Sequence, residues 1–179
     1  MRRSYLKNEE ICLRAPEPTD LKVMLSIEND SNYWDVSCTL APWSRYDLHQ
    51  YIKCNRNDIF KDEQLRLMIV RVSDNEVIGA VDLTDFNPHH NRAAVGIIVI
   101  SEYQQNGYAR QALELLCDYS FNFLHINQLY AHIPVNNEAS LQLFATVGFT
   151  RSGLLREWLH GENGYEDVVL VQRGNQREA

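Results

Sequence analysis

The stretch Gln104-Gln105-Asn106-Gly107-Tyr108-Ala109 has the makings of an anion-binding loop. It lies between the apolar run 93–100 and an amphipathic segment beginning at Arg110, so it ends a strand and opens a helix. The free backbone N–H groups of a first helical turn point outward, and the helix dipole adds about half a positive charge there, so a phosphate docks without a basic side chain. Gly107 and Ala109 let a ligand approach the main chain. Taken alone, the same residues read equally well as a strand-to-helix turn that contains a glycine.

The elements that must position this loop follow from periodicity and punctuation. Ile11-Cys12-Leu13-Arg14 alternates and is stopped by Ala15-Pro16-Glu17-Pro18, which predicts a strand and a turn. Thr19 stands where a helix cap is wanted, and Leu21, Met24, Leu25 and Ile27 predict a helix to about Asn29. Ser44 is placed to cap a second helix through Leu48, Tyr51 and Ile52. Between them 29–42 is irregular, with Tyr33, Trp34 and Trp43 near its ends, and the two helices with this aromatic joint form a candidate substrate wall. Residues 65–72 and 77–83 read as a hairpin around Ser73-Asp74-Asn75-Glu76. Asn87-Pro88-His89-His90-Asn91 breaks the next connection, and the run at 93–100, apolar on both faces, belongs in the middle of a sheet. The helix from Ala109 sets Ala112, Leu113, Leu116, Cys117 and Ser120 against polar Gln111, Glu114, Asp118 and Asn122. A strand at 129–133, a helix opened by Asn137 and closed by Gly148, and strands around 154–159 and 167–172 complete the order.

At 179 residues the chain suits one domain, 1–179, with a core over about 11–172. The 24 acidic against 17 basic residues, a net charge of −7, argue against a general nucleic-acid binder and favour a cationic substrate. No stretch reaches the length of a membrane span and the N-terminus lacks the apolar core of a signal peptide, so a cytoplasmic location is expected by default. Cys12, Cys38, Cys54 and Cys117 match no metal spacing or redox pair and are expected as free thiols.

Two elements together carry a family resemblance. Gln104 to Ala109 resembles the Q/R-x-x-G-x-G/A acetyl-coenzyme A loop of the GNAT N-acetyltransferases, and Asn137-Glu138-Ala139-Ser140-Leu141-Gln142-Leu143-Phe144-Ala145-Thr146-Val147-Gly148-Phe149 resembles their N-x-x-S/A-x-x-L-Y/F-x-x-x-G-F element. The order and separation also fit, and the likeness extends from about Leu13 to Leu170. It implies one α/β (α+β) domain. Its mixed, largely antiparallel central sheet would have six to seven strands, flanked by about four helices and splayed between the strand at 93–100 and the strand at 128–133. In such proteins a bulge in the central strand leaves backbone groups that hold the pantetheine arm as an added strand would. Ile98, Val99 and Ile100 occupy that place, and Gly96 marks either the bulge or close packing. The amides of Gln105, Asn106, Gly107, Tyr108, Ala109 and Arg110 would bind the pyrophosphate, with the Arg110 side chain adding charge, and Asn137 would either bond the pantetheine or simply cap its helix. Within the superfamily, 81–87, Arg92-Ala93, and Glu157 with Asn163-Gly164-Tyr165 look like the spermidine or diamine and ribosomal-protein alanine N-acetyltransferases.

The implied activity is acetyl transfer from acetyl-CoA to a primary amine by direct attack in a ternary complex, with a polyamine such as spermidine as acceptor. The alternatives are N-terminal acetylation of a ribosomal or other protein, and a silent acetyl-CoA-binding module. No metal, nucleic acid or membrane partner is implied, and self-association is open. The N–H of Val99 would polarise the thioester carbonyl. Two side chains expected by analogy are absent: a Glu base falls on Ala94, and a Tyr acid falls on Phe144, which can only pack the pantetheine, so the thiolate's proton would come from water, Tyr108 or Tyr165. For the base, Asp82, Asp85, His89, His90 and Glu157 are candidates. Asp82, placed on one face with Ile78 and Ala80, leads as amine anchor or water-mediated base; an odd spacing means that Asp82 and Asp85 share a cleft only if one leaves the strand's register. His132, inside a strand, reads as a packed histidine. Glu28, Asp30, Asp35 and Glu157 read either as polyamine ligands or as exposed carboxylates.

Overall fold

The computed structural model describes residues 4–34, 40–161 and 164–175. Its strands are β1 (Ile11–Arg14), β2 (Leu65–Arg71), β3 (Val77–Asn87), β4 (Arg92–Val99), β5 (Gln128–Pro134), β6 (Thr150–Gly161) and β7 (Gly164–Gly174). They form one seven-stranded sheet in the order β1-β2-β3-β4-β5-β7-β6, antiparallel throughout except where β4 runs parallel to β5. The helices are α1 (Leu21–Glu28), α2 (Arg45–Cys54), α3 (Ile59–Asp62), α4 (Tyr108–Asn122) and α5 (Glu138–Thr146). Among the described residues the short α3, capped by Asp58, adds a fifth helix to the expected four.

Alternation along the strands divides the core between the two faces. Leu65, Leu67 and Ile69 of β2 face α4 and α5 with Leu113, Leu116, Phe144 and Phe149, whereas Met68 and Val70 face α1 and α2 with Met24, Leu48 and Ile52. Asp82 shares the second face with Ala80, but Ile78 packs into the first core. The reason is a register shift at Ile69/Val70, which reverses the parity on which the expected grouping with Ile78 rested. Close by, Gly79 comes so near β4 that a Cβ there would sit 2.2 Å from the Ile98 carbonyl oxygen.

The expected caps are met in part. Ser44 Oγ accepts the Asp47 N–H at 3.0 Å and opens α2, and Gly148 leaves α5 at φ +86°. Thr19 lies within a 3-10 turn (Pro18–Asp20) instead of capping α1. The turn is braced by Asp20, whose carboxylate accepts the Glu17 N–H at 2.8 Å and pairs with Arg14 at 2.6 Å. Cys12, Cys54 and Cys117 are free thiols, and Cys38 lies outside the described residues.

β4 and β5 touch only at their beginnings. Arg92, Ala93 and Ala94 pair with Gln128, Leu129 and Tyr130, and the Asn91 carbonyl accepts the N–H groups of Asn127 (2.8 Å) and Gln128 (3.2 Å). Beyond Ala94 the strands diverge, β5 continuing along β7 and β4 along β3. The bulge implied for the central strand lies instead in β3, between Thr84 and Asn87, while β4 pairs evenly with β3 from Ala94 to Val99. Gly79→Ala is expected to destabilise the fold by about 2–3 kcal/mol, since the methyl meets backbone and not a movable side chain; urea unfolding measures it, and a loss below about 0.5 kcal/mol, the scatter of neutral substitutions, would contradict the close approach.

Candidate active site

A 3-10 turn (Ser101–Tyr103) carries the chain out of β4 toward α4. Gln105 takes φ +61° and Gly107 φ +79°, so the loop passes twice through the left-handed region, where glycine is strain-free. Asn106 Nδ2 braces it by donating to the Tyr103 and Gln104 carbonyls at 3.2 and 2.9 Å. Gly107 is the helix N-cap and carries no capping side chain. Gln111 donates to the Gly107 carbonyl at 3.2 Å. The amides of Tyr108, Ala109 and Arg110 precede that first helical bond and stand at a cavity of about 290 Å³. The Arg110 guanidinium lies beside Glu114 at 2.9 Å and is 60% exposed. A second cation, missed in the sequence, is Arg71 of β2, 5.0 Å from the Tyr103 ring centroid; it is already held by Asp74 at 2.6 Å and Glu76 at 3.3 Å.

This cavity runs into a larger cleft of about 620 Å³, with which it shares Val99, Gln104, Ala109, Ala139 and Leu143. The cleft runs along the part of β4 that β5 has left, with Gly96, Ile97, Ile98 and Val99 in its wall. Ile100 donates its N–H to Ile78 across the β3 side, so strand alternation directs the backbone groups of Ile98 to β3 as well. Val95, Ile97 and Val99 therefore present theirs to the side that β5 has left. Gln104 Nε2 donates to the Val99 carbonyl at 2.8 Å, which leaves the Val99 and Ile97 N–H groups as donors along this edge. Ile97 was missed in the sequence because the parity of the ladder is set by β3. Ile98 lines the cleft through its side chain. Asn137 caps α5, its Oδ1 accepting the Ser140 N–H at 3.0 Å, and its Nδ2 remains for a ligand.

At the other end the cleft meets a charged cluster. Arg66 of β2 lays its Nε and Nη2 on the two Asp82 oxygens at 2.7 and 3.1 Å and gives Nη1 to Glu28 of α1. Burial alone would lower the Arg66 pKa, but Asp82 and Glu28 more than offset it and raise it, so the guanidinium stays charged. Two carboxylates and one cation leave a net charge of −1. Tyr33 lines the same end, and Tyr51 of α2 lies near enough for its hydroxyl, pushed up by burial, to feel all three charges. The aromatic joint is pinned here: Trp34 Nε1 donates to the Glu28 carbonyl at 2.9 Å, and Asn29 holds Trp43 by two hydrogen bonds of 2.7 and 3.0 Å.

Other singled-out residues fall elsewhere. Phe144 is buried in the core, edge-on to Phe149 at 5.0 Å, and lines neither cavity. Asp85 does leave the strand's register, at φ +48° in the β3 bulge, but its carboxylate accepts the Tyr130 hydroxyl beside the cleft. Glu157, at φ +49°, stands exposed on β6 with its N–H on Asp167 at 2.8 Å. His89 and His90 lie against each other on the turn after β3, and Asp30 caps its own turn. Tyr108 lines the cavity at the α4 N-terminus, whereas Tyr165 is 68% exposed on the terminal hairpin against His160. Asp35 and Asn163 lie outside the described residues. Among the described residues no helix is long and apolar enough to cross a membrane.

Residues 10–150 match the family model for an acetyltransferase (GNAT) domain. A spermidine N(1)-acetyltransferase of Vibrio cholerae is 30% identical over 164 residues, covering 90% of this chain and 91% of the relative. A crystal structure of spermidine N-acetyltransferase from Vibrio cholerae in complex with CoA and spermine superposes with a TM-score of 0.83 at 28% identity, over 94% of this chain and 97% of that one. A dodecameric structure of that enzyme in an intermediate state gives 0.79 at 28% identity, over 94% and 95%.

The Arg66 clamp is testable without any ligand. Arg66→Met strands two carboxylates that are only 11% and 17% exposed, and is expected to cost about 3 kcal/mol of unfolding free energy, the range for breaking a buried pair; denaturant unfolding near neutral pH measures it.

Proposed function

Because the chain belongs to the GNAT acetyltransferase family, we propose that it acetylates a primary amine of a polyamine such as spermidine, by direct attack in a ternary complex with acetyl-CoA. The observation that carries this is the single cleft that joins a helix N-terminus to an acidic cluster along an open strand edge. A cofactor with a pyrophosphate and an extended arm fits the helix N-terminus and the strand edge, and an ammonium fits the acidic cluster. When bound, acetyl-CoA supplies an activated acyl carbonyl and a thiol leaving group.

The residues divide the work. The Tyr108, Ala109 and Arg110 amides hold the pyrophosphate, with Gln105, Asn106 and Gly107 shaping the loop around it. Val95, Ile97 and Val99 take the pantetheine as a neighbouring strand would, aided by Asn137 Nδ2. An N–H on this edge, from Ile97 or Val99, polarises the acyl carbonyl. Asp82 already accepts from Arg66 on both oxygens, which suits it to anchor positive charge with Glu28 and not to take a proton. The residual charge of −1 matches one flanking ammonium of a polyamine. Asp85 supports the site from outside, through Tyr130.

Self-association is supported by the terminal hairpin, where Leu154, Trp158 and Tyr165 are 51%, 55% and 68% exposed. Sedimentation is expected to show an assembly larger than the 20.8 kDa chain.

Thioester consumption measured against spermidine, spermine, putrescine and peptides with N-terminal Ala or Ser tests the acceptor. Transfer to polyamines is expected, and transfer to peptides alone would overturn it. Asp82→Asn should raise the spermidine KM by about tenfold, the worth of one charge-assisted contact, with CoA affinity unchanged. Gly107→Trp, which places a bulky side chain at φ +79° beside the loop amides, should weaken CoA binding by at least about tenfold in calorimetry; unchanged affinity would count against the loop assignment.

A further inference from the structure

The proton that a cationic acceptor must lose before attack has no evident destination among the residues above, since Ala94 stands where a carboxylate was expected and Asp82 is clamped. The sheet register points to one. In the parallel pair, Ala94 lies beside Tyr130, so Gly96 and His132 stand at the same level one pleat further on, where the strands have parted. Asp82 pairs with Gly96 on the other side. Asp82, Gly96 and His132 thus form a row across one face of the sheet, with a carboxylate at one end, an imidazole at the other and a bare Cα between them. A Cβ on Gly96 would meet only Asp82, at 3.8 and 3.9 Å, and nothing from β5.

His132 is braced by its neighbours. Tyr130 lies edge-on to it at 5.5 Å, Trp158 of β6 lies across it at 5.9 Å, and its side chain is exposed. The charged and titratable groups facing it are Asp85, from the β3 bulge, and Tyr130, whose hydroxyl is pushed up to about 12 by burial and by its bond to Asp85 and therefore stays a donor. Partial desolvation beside the Tyr130 and Trp158 rings lowers the His132 pKa and Asp85 opposes it, the net placing it below the ordinary 6.5. The imidazole is then neutral near pH 7 and able to accept.

We propose that His132 is the proton acceptor for the amine, receiving its proton across the Gly96 gap directly or through one water. The ammonium gives one proton to the imidazole. The freed lone pair forms the N–C bond as the C–S bond breaks, the nitrogen's second proton passes to the departing sulfur, and the imidazolium returns its own proton to solvent. This rests on reading the cleft as the acetyl-transfer site but not on which amine is accepted, so it is measured with whichever amine the wild-type protein turns over.

His132→Gln is expected to lower kcat by about 100-fold, the lower end of what a positioned base supplies, with CoA affinity unchanged. In the wild type kcat should fall as pH drops through the His132 pKa, and in the variant that acid limb should vanish. Titration of the wild-type His132 ring by NMR should return the same pKa, displaced downward when spermidine is added to the CoA complex, because a nearby ammonium disfavours the imidazolium. A kcat loss under about threefold, far short of base removal, or an acid limb kept in the variant, would overturn the proposal. Should the variant fail to fold, an NMR pKa that ignores the amine would overturn it alone. Absence of transfer to every amine by the wild type would instead overturn the acceptor reading, leaving the NMR displacement to decide on His132.

Discussion

The parting of β4 from β5 is the constraint on which the rest depends. Three residue pairs and the Asn91 carbonyl fasten the two strands at one end, and past Ala94 each is claimed by its other neighbour. A sheet interior normally satisfies every backbone group, so a wedge opened in its middle exposes donors that are costly to bury unmatched. Here the exposure is limited and managed. Gln104 satisfies the Val99 carbonyl, α4 and α5 close the far end, and the remaining N–H groups face a cleft that an extended ligand can fill. The same wedge brings the α4 N-terminus and the Asn137 cap to one opening, because both follow strands that end there.

The cleft has an electrical direction. At the loop end the field is positive and comes from backbone, from amides that precede the first helical bond, with Arg110 and Arg71 tied to carboxylates nearby. At the other end two carboxylates are set against one guanidinium. Arg66 makes the acidic end affordable to bury, since Glu28 and Asp82 without it would repel each other; it also limits the surplus to a single negative charge. An acceptor with one reacting amine and one further ammonium is matched by that surplus. A cofactor phosphate would be turned away from it by sign, so under the proposed function the cleft would sort its two ligands to opposite ends before any contact is made.

What the sequence made legible was local in origin. The strand-to-helix loop at 104–109 depends on Gly107 and the first turn of α4, and the α5 element on Asn137 and Gly148, each set within a few residues, so for their geometry residue types and spacing sufficed. The acid cluster was half visible: Glu28 and Asp82 were singled out, but Arg66, which joins them, reads in sequence as one polar position in a strand. Features set by pairing between strands were out of reach. The bulge at Asp85 and the shift at Ile69/Val70 each change a side chain's face without any mark in local composition, which is why Ile78 was placed on the wrong side of β3. The edge to which Val99, and Ile97 with it, presents its N–H is likewise decided by the partner strand. Phe144 falls in a motif position that suggests contact with the cofactor, yet its ring is a filler of the core next to Phe149.

The two residues missing from the expected pattern are best understood through that geometry. Ala94 sits at the last β4–β5 pair, facing Thr84 on one side and Tyr130 on the other. A carboxylate here would adjoin the Asp85–Tyr130 bond and compete for the same hydroxyl. With alanine in place, Asp85 keeps Tyr130 neutral and donating, and Tyr130 in turn fixes the edge of His132. Removing one acid thus leaves an ordered network where a like-charge pair would otherwise stand. Phe144 has the parallel effect on the other face: a phenol there would need a partner in an apolar core, whereas a phenyl ring needs none. In the proposed reaction, chemistry at this site would rest chiefly on holding an acyl carbonyl against a fixed N–H and an amine against a fixed carboxylate, and such positioning is sufficient for a large share of the rate of transfer from an already activated thioester.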